Sequence, residues 1–243
     1  MIDLYFSPTP NGLKVKLFLE EAELVHRIVP VSLSRGEQYK AEFVRISPNG
    51  KIPAIVDYAP VDRGPVDGGP TGGGGPLPIF ESGAILVYLA EKTGRFLPAS
   101  ARARLEVMQW LFWQVGGLGP MAGQIGHFNV FAPEKVPYAI DRFTREVHRL
   151  YGVLDRRLAG REYIVDDYSI ADMAAYPWIV PHAPHGQMLE DFQDLKRWFE
   201  TMRERPGVRA TYDGVVDVYS NTKRTLTDEE RRVLFGRVAE TAA

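Results

Sequence analysis

The chain contains no cysteine. That absence excludes disulfide scaffolding, thiolate metal sites and any reaction relying on a thiol of the protein's own. Charge of one sign is also missing. Lys and Arg total 29 against 31 Asp and Glu, a balance that argues against nucleic acid or an anionic membrane as the main partner. Long hydrophobic runs are lacking too: the stretch AILVYLA, residues 84–90, is far short of the ~20 apolar residues a membrane span needs. Asp3 falls where a signal peptide requires an apolar run, so the expectation is a soluble cytoplasmic protein. There is no internal repeat and no G-x-S-x-G elbow. No G-K-[ST] follows the glycines of GGPTGGGG, so that stretch is not a phosphate loop. His182 and His185 have no acidic partner at metal-motif spacing, so no metal is expected.

What remains is a chain of 243 residues, 45% hydrophobic, a size that suits two domains. Residues 2–6 read as a first strand and 12–24 as a first helix, with Leu13, Leu17, Phe18 and Ala22 inward and Lys14, Lys16, Glu20 and Glu21 outward. Residues 26–33 form a second strand, 40–46 a short helix, and 47–58 pass through a turn into a third strand. Residues 77–80 form a fourth strand and 82–92 a helix. The order βαβαββα is an α/β sandwich with a mixed sheet, as in thioredoxin-like folds. Between the last two strands lies a Gly/Pro-rich insert, 59–78, read as a loose surface loop. Residues 93–98 form a linker, with Gly94 as a helix stop. Only helical periodicity follows.

The helical part opens with 100–127, which Gly116-Gly117 and Gly119-Pro120 should bend or break. Residues 138–158 carry an apolar stripe through Ile140, Phe143, Val147, Leu150, Leu154 and Leu158. Ser169 and Asp172 have the spacing of a capping box. Residues 191–205 are amphipathic, and the charged tail holds one further helix. The division expected is 1–93 for the α/β domain and 99–243 for an all-helical domain.

Three stretches carry candidate chemistry. In FSPTPNG, residues 6–12, a Pro-containing turn enters a helix, concentrating free backbone N–H groups and the positive end of the helix dipole. Thr9 and Asn11 add a hydroxyl and an amide there. Such a cluster suits an anion, a thiolate included. Lowering a thiol pKa by roughly two units takes about 2.7 kcal/mol, within reach of two hydrogen bonds and a dipole. The same residues also read as an ordinary helix cap. In NGKIPA, residues 49–54, a cis Ile52–Pro53 bond would turn the Ile52 backbone toward a peptide-like ligand. In FESG, residues 80–83, Ser82 and the first N–H groups of a helix make a carboxylate site, while Glu81 suits an ammonium. Tyr5 lies before the turn and reads as core. Trp110, Phe112, Trp113 and Phe128 read as interdomain or dimer packing.

These stretches, with EFVRISPNGKIPAIVD, FESGAILVYLAEKTGRFLP, MQWLFWQVGGLGPM and YSIADMAAYPW, resemble the glutathione transferase superfamily and within it the Nu class of disulfide-bond oxidoreductases. The resemblance runs from Met1 to about Pro206, excluding the insert and the tail. It implies a thioredoxin-like domain followed by an all-helical one, a homodimer, and a site for glutathione: two reduced molecules, or one oxidised. It places Thr9 and Asn11 beside the glutathione sulfur, Gln38 at the glycine end, and the Ile52 backbone beside Pro53 with Lys51 next to it. Glu81 and Ser82 then hold the γ-glutamyl head, and Arg142 reaches in from the helical domain. The reaction implied is reduction of a small-molecule or peptide disulfide by the glutathione thiol, with no nucleic acid or membrane partner. Conjugation of glutathione to electrophiles, and a non-catalytic regulator built on the same fold, stay open on the residues alone.

Overall fold

A computed structural model of the chain describes residues 1–60, 75–215 and 226–235. Four strands, β1 (Ile2–Phe6), β2 (His26–Pro30), β3 (Ala54–Asp57) and β4 (Leu77–Phe80), form one mixed sheet in the order β2-β1-β3-β4. β1 runs parallel to β2 and antiparallel to β3, and β4 is antiparallel to β3. Leu4 is flanked in register by Ile28 and Ile55, which centres the apolar alternation on β1. Pro30 and Pro78 sit on the two edge strands, where a missing N–H costs no ladder bond.

Helix α1 (Pro10–Glu21) joins β1 to β2, and α2 (Ala41–Val44) precedes β3 after two 3₁₀ turns, Leu33–Arg35 and Glu37–Tyr39. α3 (Ser82–Thr93) follows β4 and ends on Gly94 at φ 68°, the left-handed stop that glycine adopts without a Cβ clash. The loop assigned to residues 59–78 lies mostly outside the described residues; at its ends β3 and β4 pair as expected.

The helical domain holds α4 (Ala101–Trp113), α5 (Gly119–Gly126), α6 (Pro137–Leu158), α7 (Ile170–Ile179), α8 (Gln193–Glu204), α9 (Pro206–Tyr212) and α10 (Asp228–Phe235). Of the bend or break expected at Gly116–Pro120, a break does not occur. Residues Gln114–Leu118 form a π-helical turn, with Gly119 N–H donating to the Gln114 carbonyl, and the helix continues through α5. A widened turn accommodates Pro120, which has no N–H to give and would crowd the carbonyl four residues back. A second π turn, His127–Phe131, ends this run. The capping box at α7 forms as the spacing requires, and Val147, Leu150, Leu154 and Leu158 of α6 are buried.

One face assignment is corrected. Lys14 and Glu21 do not point outward; Lys14 is 1% exposed and the Glu21 side chain 7%. α1 is covered twice, by the sheet domain on one side and by α7 and α9 on the other. A helix sandwiched in this way buries most of its circumference, and two-sided patterning loses its meaning. One continuous apolar core therefore runs from Leu4 and Ile55 through Phe18 and Leu89 to Ile170 and Trp198. Arg205 of the α8–α9 junction ties the halves together with a bidentate pair to Glu21 at 2.9 Å, while stacking 3.5 Å over Tyr168.

Candidate active site

α1 begins where β1 stops. Thr9 is its N-cap, with extended backbone, and its hydroxyl oxygen accepts from Gly12 N–H at 3.4 Å. Pro10 takes the first helical position. Gly12 is required by space: a Cβ there would lie 2.4 Å from the Ser7 carbonyl. The turn is thus closed tightly against the strand end, and Asn11 follows it in the first helical turn.

Asn11 faces a cavity of about 200 Å³ lined also by Ser47, Asn49, Lys51, Ile52, Pro53, Glu81 and Ser82. Three stretches distant in sequence therefore meet in one place. The Ile52–Pro53 bond is cis. The turn before it is fixed by Ser47, whose hydroxyl donates to the Lys51 carbonyl at 2.8 Å and whose own carbonyl accepts from Gly50 N–H at 2.8 Å. Glu81 has φ 70°, a left-handed conformation uncommon for a residue with a side chain. No side chain caps α3 behind it, so the first N–H groups of a twelve-residue helix stand open for an anion.

The other site candidates lie elsewhere. Thr9 and Gln38 do not line this cavity, although the Gln38 carbonyl is 3.3 Å from where a Cβ on Gly50 would be, beside the Asn49–Lys51 turn. Gln38 is buried; its Nε2 donates to the Leu33 carbonyl at 3.2 Å, and its Oε1 has no protein partner among the described residues. Arg142 lines a separate cavity with Met121, Phe143, Arg145, Glu146 and Arg149. Tyr5 is half-buried and packs on Phe43 at 5.8 Å between centroids. His182 bonds to the Gln187 carbonyl and His185 is buried, with burial pulling its pKa down to about 4. A larger cavity, between α7, α8 and α9, is lined by Tyr176, Val180, Phe199, Val208 and Tyr212 and uses none of these elements' counterparts in the sheet domain.

Two contacts were not visible in the sequence. Trp178 on α7 donates its indole N–H to Asn11 Oδ1 at 3.1 Å, across 167 residues of chain. Indole N–H is a donor only, so the amide oxygen must be the end it meets. That leaves the Asn11 N–H₂ as the end available to a ligand. Behind Asn11, Lys14 reaches Gln114 and Ser82. Among the described residues no cluster of three or more His, Asp or Glu side chains could hold a metal.

A strand-to-helix turn, a cis-proline turn and an open helix start, on a small mixed sheet followed by a helical domain, are the arrangement expected of a glutathione transferase. The chain belongs to that family: residues 9–92 match the glutathione S-transferase N-terminal domain and 118–206 the C-terminal domain. It is 54% identical over 207 residues to the disulfide-bond oxidoreductase YfcG of Escherichia coli, covering 85% of this chain and 92% of that protein. Another E. coli disulfide-bond oxidoreductase, YghU, is 38% identical, with 86% and 73% covered. A Pseudomonas putida glutathione transferase crystallised with one glutathione disulfide per subunit superposes with TM-score 0.77 at 41% identity, covering 86% of this chain and 90% of that one. A Burkholderia graminis transferase with two glutathione molecules per subunit gives the same TM-score and identity, with 87% covered on each side.

Proposed function

We propose that the protein is a glutathione-dependent disulfide-bond oxidoreductase whose sulfur comes from bound glutathione. The observation that carries this is Asn11: it faces the cavity shared with Ile52, Pro53, Glu81 and Ser82, and its amide oxygen is held by Trp178. Relatives named as disulfide-bond oxidoreductases and neighbours holding glutathione or its disulfide support the activity and the ligand.

The cavity fits the tripeptide chemically. The open start of α3 and the Ser82 hydroxyl suit the γ-glutamyl carboxylate, and Glu81 suits the adjoining ammonium. The Ile52 main chain suits the cysteinyl backbone and Lys51 the glycine carboxylate. Gln38, beside the Asn49–Lys51 turn, and Arg142, in a separate cavity, lie outside this lining and are assigned to the ligand only through the family resemblance. Thr9 and Asn11 are assigned to the sulfur: the Thr9 oxygen accepts from Gly12, leaving its hydroxyl proton to donate. Bound glutathione supplies the thiolate that opens a disulfide, and a second glutathione resolves the mixed disulfide. The chain's part is to hold one sulfur charged with neutral donors at a helix start, because exchange depends on the thiolate fraction.

The finer reading places the protein in the Nu class, in the cytoplasm, as a homodimer of chains divided into domains 1–93 and 99–243. Leu105 and Phe112, one i,i+7 step apart on α4, are 61% and 66% exposed, and support a second copy packing there. Among the described residues no helix is long and apolar enough to cross a membrane.

The test is one preparation assayed two ways: glutathione-driven reduction of a small disulfide, and conjugation of glutathione to a chlorinated nitrobenzene. Reduction should dominate, and Asn11→Ala should lose it while keeping its circular dichroism and melting profile. Wild-type reduction by that variant would remove Asn11 from its role; conjugation as the dominant activity would replace the reductase reading.

A further inference from the structure

Lys14 lies one helical turn beyond Asn11, on the same face of α1. Its side chain is fully enclosed, at 1% exposure. Nζ donates to Gln114 Oε1 at 2.5 Å and to Ser82 Oγ at 3.4 Å. Gln114 is itself buried, with Nε2 packed close against Gly119, where a Cβ would come within 2.9 Å, and without a hydrogen-bond partner among the described residues. Among the described residues Lys14 has no carboxylate in salt-bridge contact. A buried ammonium with no carboxylate in direct contact is costly, and here it lies directly behind a residue of the proposed ligand cavity.

We propose that Lys14 is a positioning residue for the ligand's carboxylate: its ammonium occupies the acceptor side of Ser82 Oγ, turns the hydroxyl proton toward the cavity, and supplies the positive charge the carboxylate needs. This deepens the function given above and rests on its docking of the γ-glutamyl head at Glu81 and Ser82. The same ammonium reaches the helical domain through Gln114, so the α3 end of the cavity is braced from α4–α5 as Asn11 is braced from α7.

Burial pulls the Lys14 pKa down to about 7, with the charge of Glu81 opposing the fall. The groups around it can be named. Glu81 comes from the β4–α3 junction. Ser82 and Gln114 are neutral. On α1 itself, Lys16 bonds to the Ala210 and Thr211 carbonyls, and Glu21 is paired with Arg205 at the far end. Asp172 of α7 is occupied by Ile164, Ser169 and Trp198. A carboxylate arriving on Ser82 favours the charged lysine, so binding above pH 7 takes up a proton and affinity falls as pH rises.

The experiment is calorimetry of the full chain with S-methylglutathione, whose capped sulfur does not ionise, between pH 6 and 8 in two buffers of different ionisation enthalpy. Wild-type affinity should fall roughly tenfold over that range, with proton uptake approaching one per site at pH 8. Lys14→Met should bind roughly tenfold more weakly at pH 6, with a flat profile and no uptake. Gln114→Glu gives the lysine a partner that keeps it charged, so it should bind with a flattened profile; it serves where Lys14→Met does not fold. A flat wild-type profile without uptake, or a slope that survives in Lys14→Met, overturns the role of Lys14 while leaving the docked head intact. Wild-type protein that binds no S-methylglutathione or glutathione at any pH overturns the docking itself, and the inference with it.

Discussion

At the scale of single residues, the proposed site depends on which way one amide points. An asparagine side chain presents a donor or an acceptor to a ligand with nearly the same shape, and a thiolate needs the donor. Trp178 makes that choice by occupying Oδ1. Trp178→Phe keeps the ring packing and deletes the N–H. Its expected cost in stability is about 1 kcal/mol, read as a small drop in melting temperature. Its cost in disulfide reduction should be larger, on the order of tenfold in kcat/KM, because the freed amide then samples the wrong orientation. Equal activity in wild type and variant would show that Asn11 is oriented by something else. The turn that carries Asn11 was legible in FSPTPNG because the Thr9 cap, Pro10 and Gly12 that build it lie within a few residues. Trp178 was not: no local pattern connects position 11 to position 178, and a buried tryptophan on a helix ordinarily reads as core.

Single elements show the same division. Strands and capped helices were legible because their signals are local, as with the Pro10 entry into α1, the Gly94 stop after α3 and the Ser169–Asp172 box. The continuity of α4 through α5 was not, because two Gly and a Pro give the same local signal for a break and for a π turn. Lys14 and Glu21 were assigned to the wrong face of α1 for a related reason: whether a helix is covered once or twice is decided by another domain. α3 illustrates how an element carrying the site is anchored away from it. Burial pushes the Asp57 carboxyl up, but bonds from Lys92 at 2.8 Å, Tyr88 at 2.6 Å and the Ala59 N–H win, holding it below the usual carboxylate range. A depressed carboxylate stabilises the fold above its unfolded pKa and loses that contribution as pH falls through the folded one. Stability should therefore drop on acidification below about pH 4. Asp57→Asn should be less stable at pH 7 and show a shallower acid limb in urea melts; an unchanged limb would mean that β3 and α3 are not held together through this carboxyl.

For the whole molecule, the sheet domain supplies the cavity proposed for the ligand and the helical domain supplies contacts that brace it. Contacts that cross between them include Trp178 to Asn11, Gln114 to Lys14, and Arg205 to Glu21. The last is an ion pair and lies at the opposite end of α1 from the site. Arg205→Met leaves Glu21 enclosed without a partner, which should cost about 3 kcal/mol and broaden unfolding into separable steps. Adding Glu21→Gln should recover part of that loss, and additive losses would show that the two side chains are not coupled. The two-domain layout was readable from the switch in periodicity after residue 93, but these crossings were not, since each joins residues 100 or more apart.

The central claim is that the chain, having no thiol, makes a borrowed one anionic with neutral groups at the start of α1. Its most direct test is the ultraviolet thiolate absorbance of glutathione bound to the protein, followed as pH is raised. The bound thiol should titrate roughly two units below the free tripeptide, and Asn11→Ala should return most of that shift. A bound thiol that titrates as it does in free solution would contradict the account.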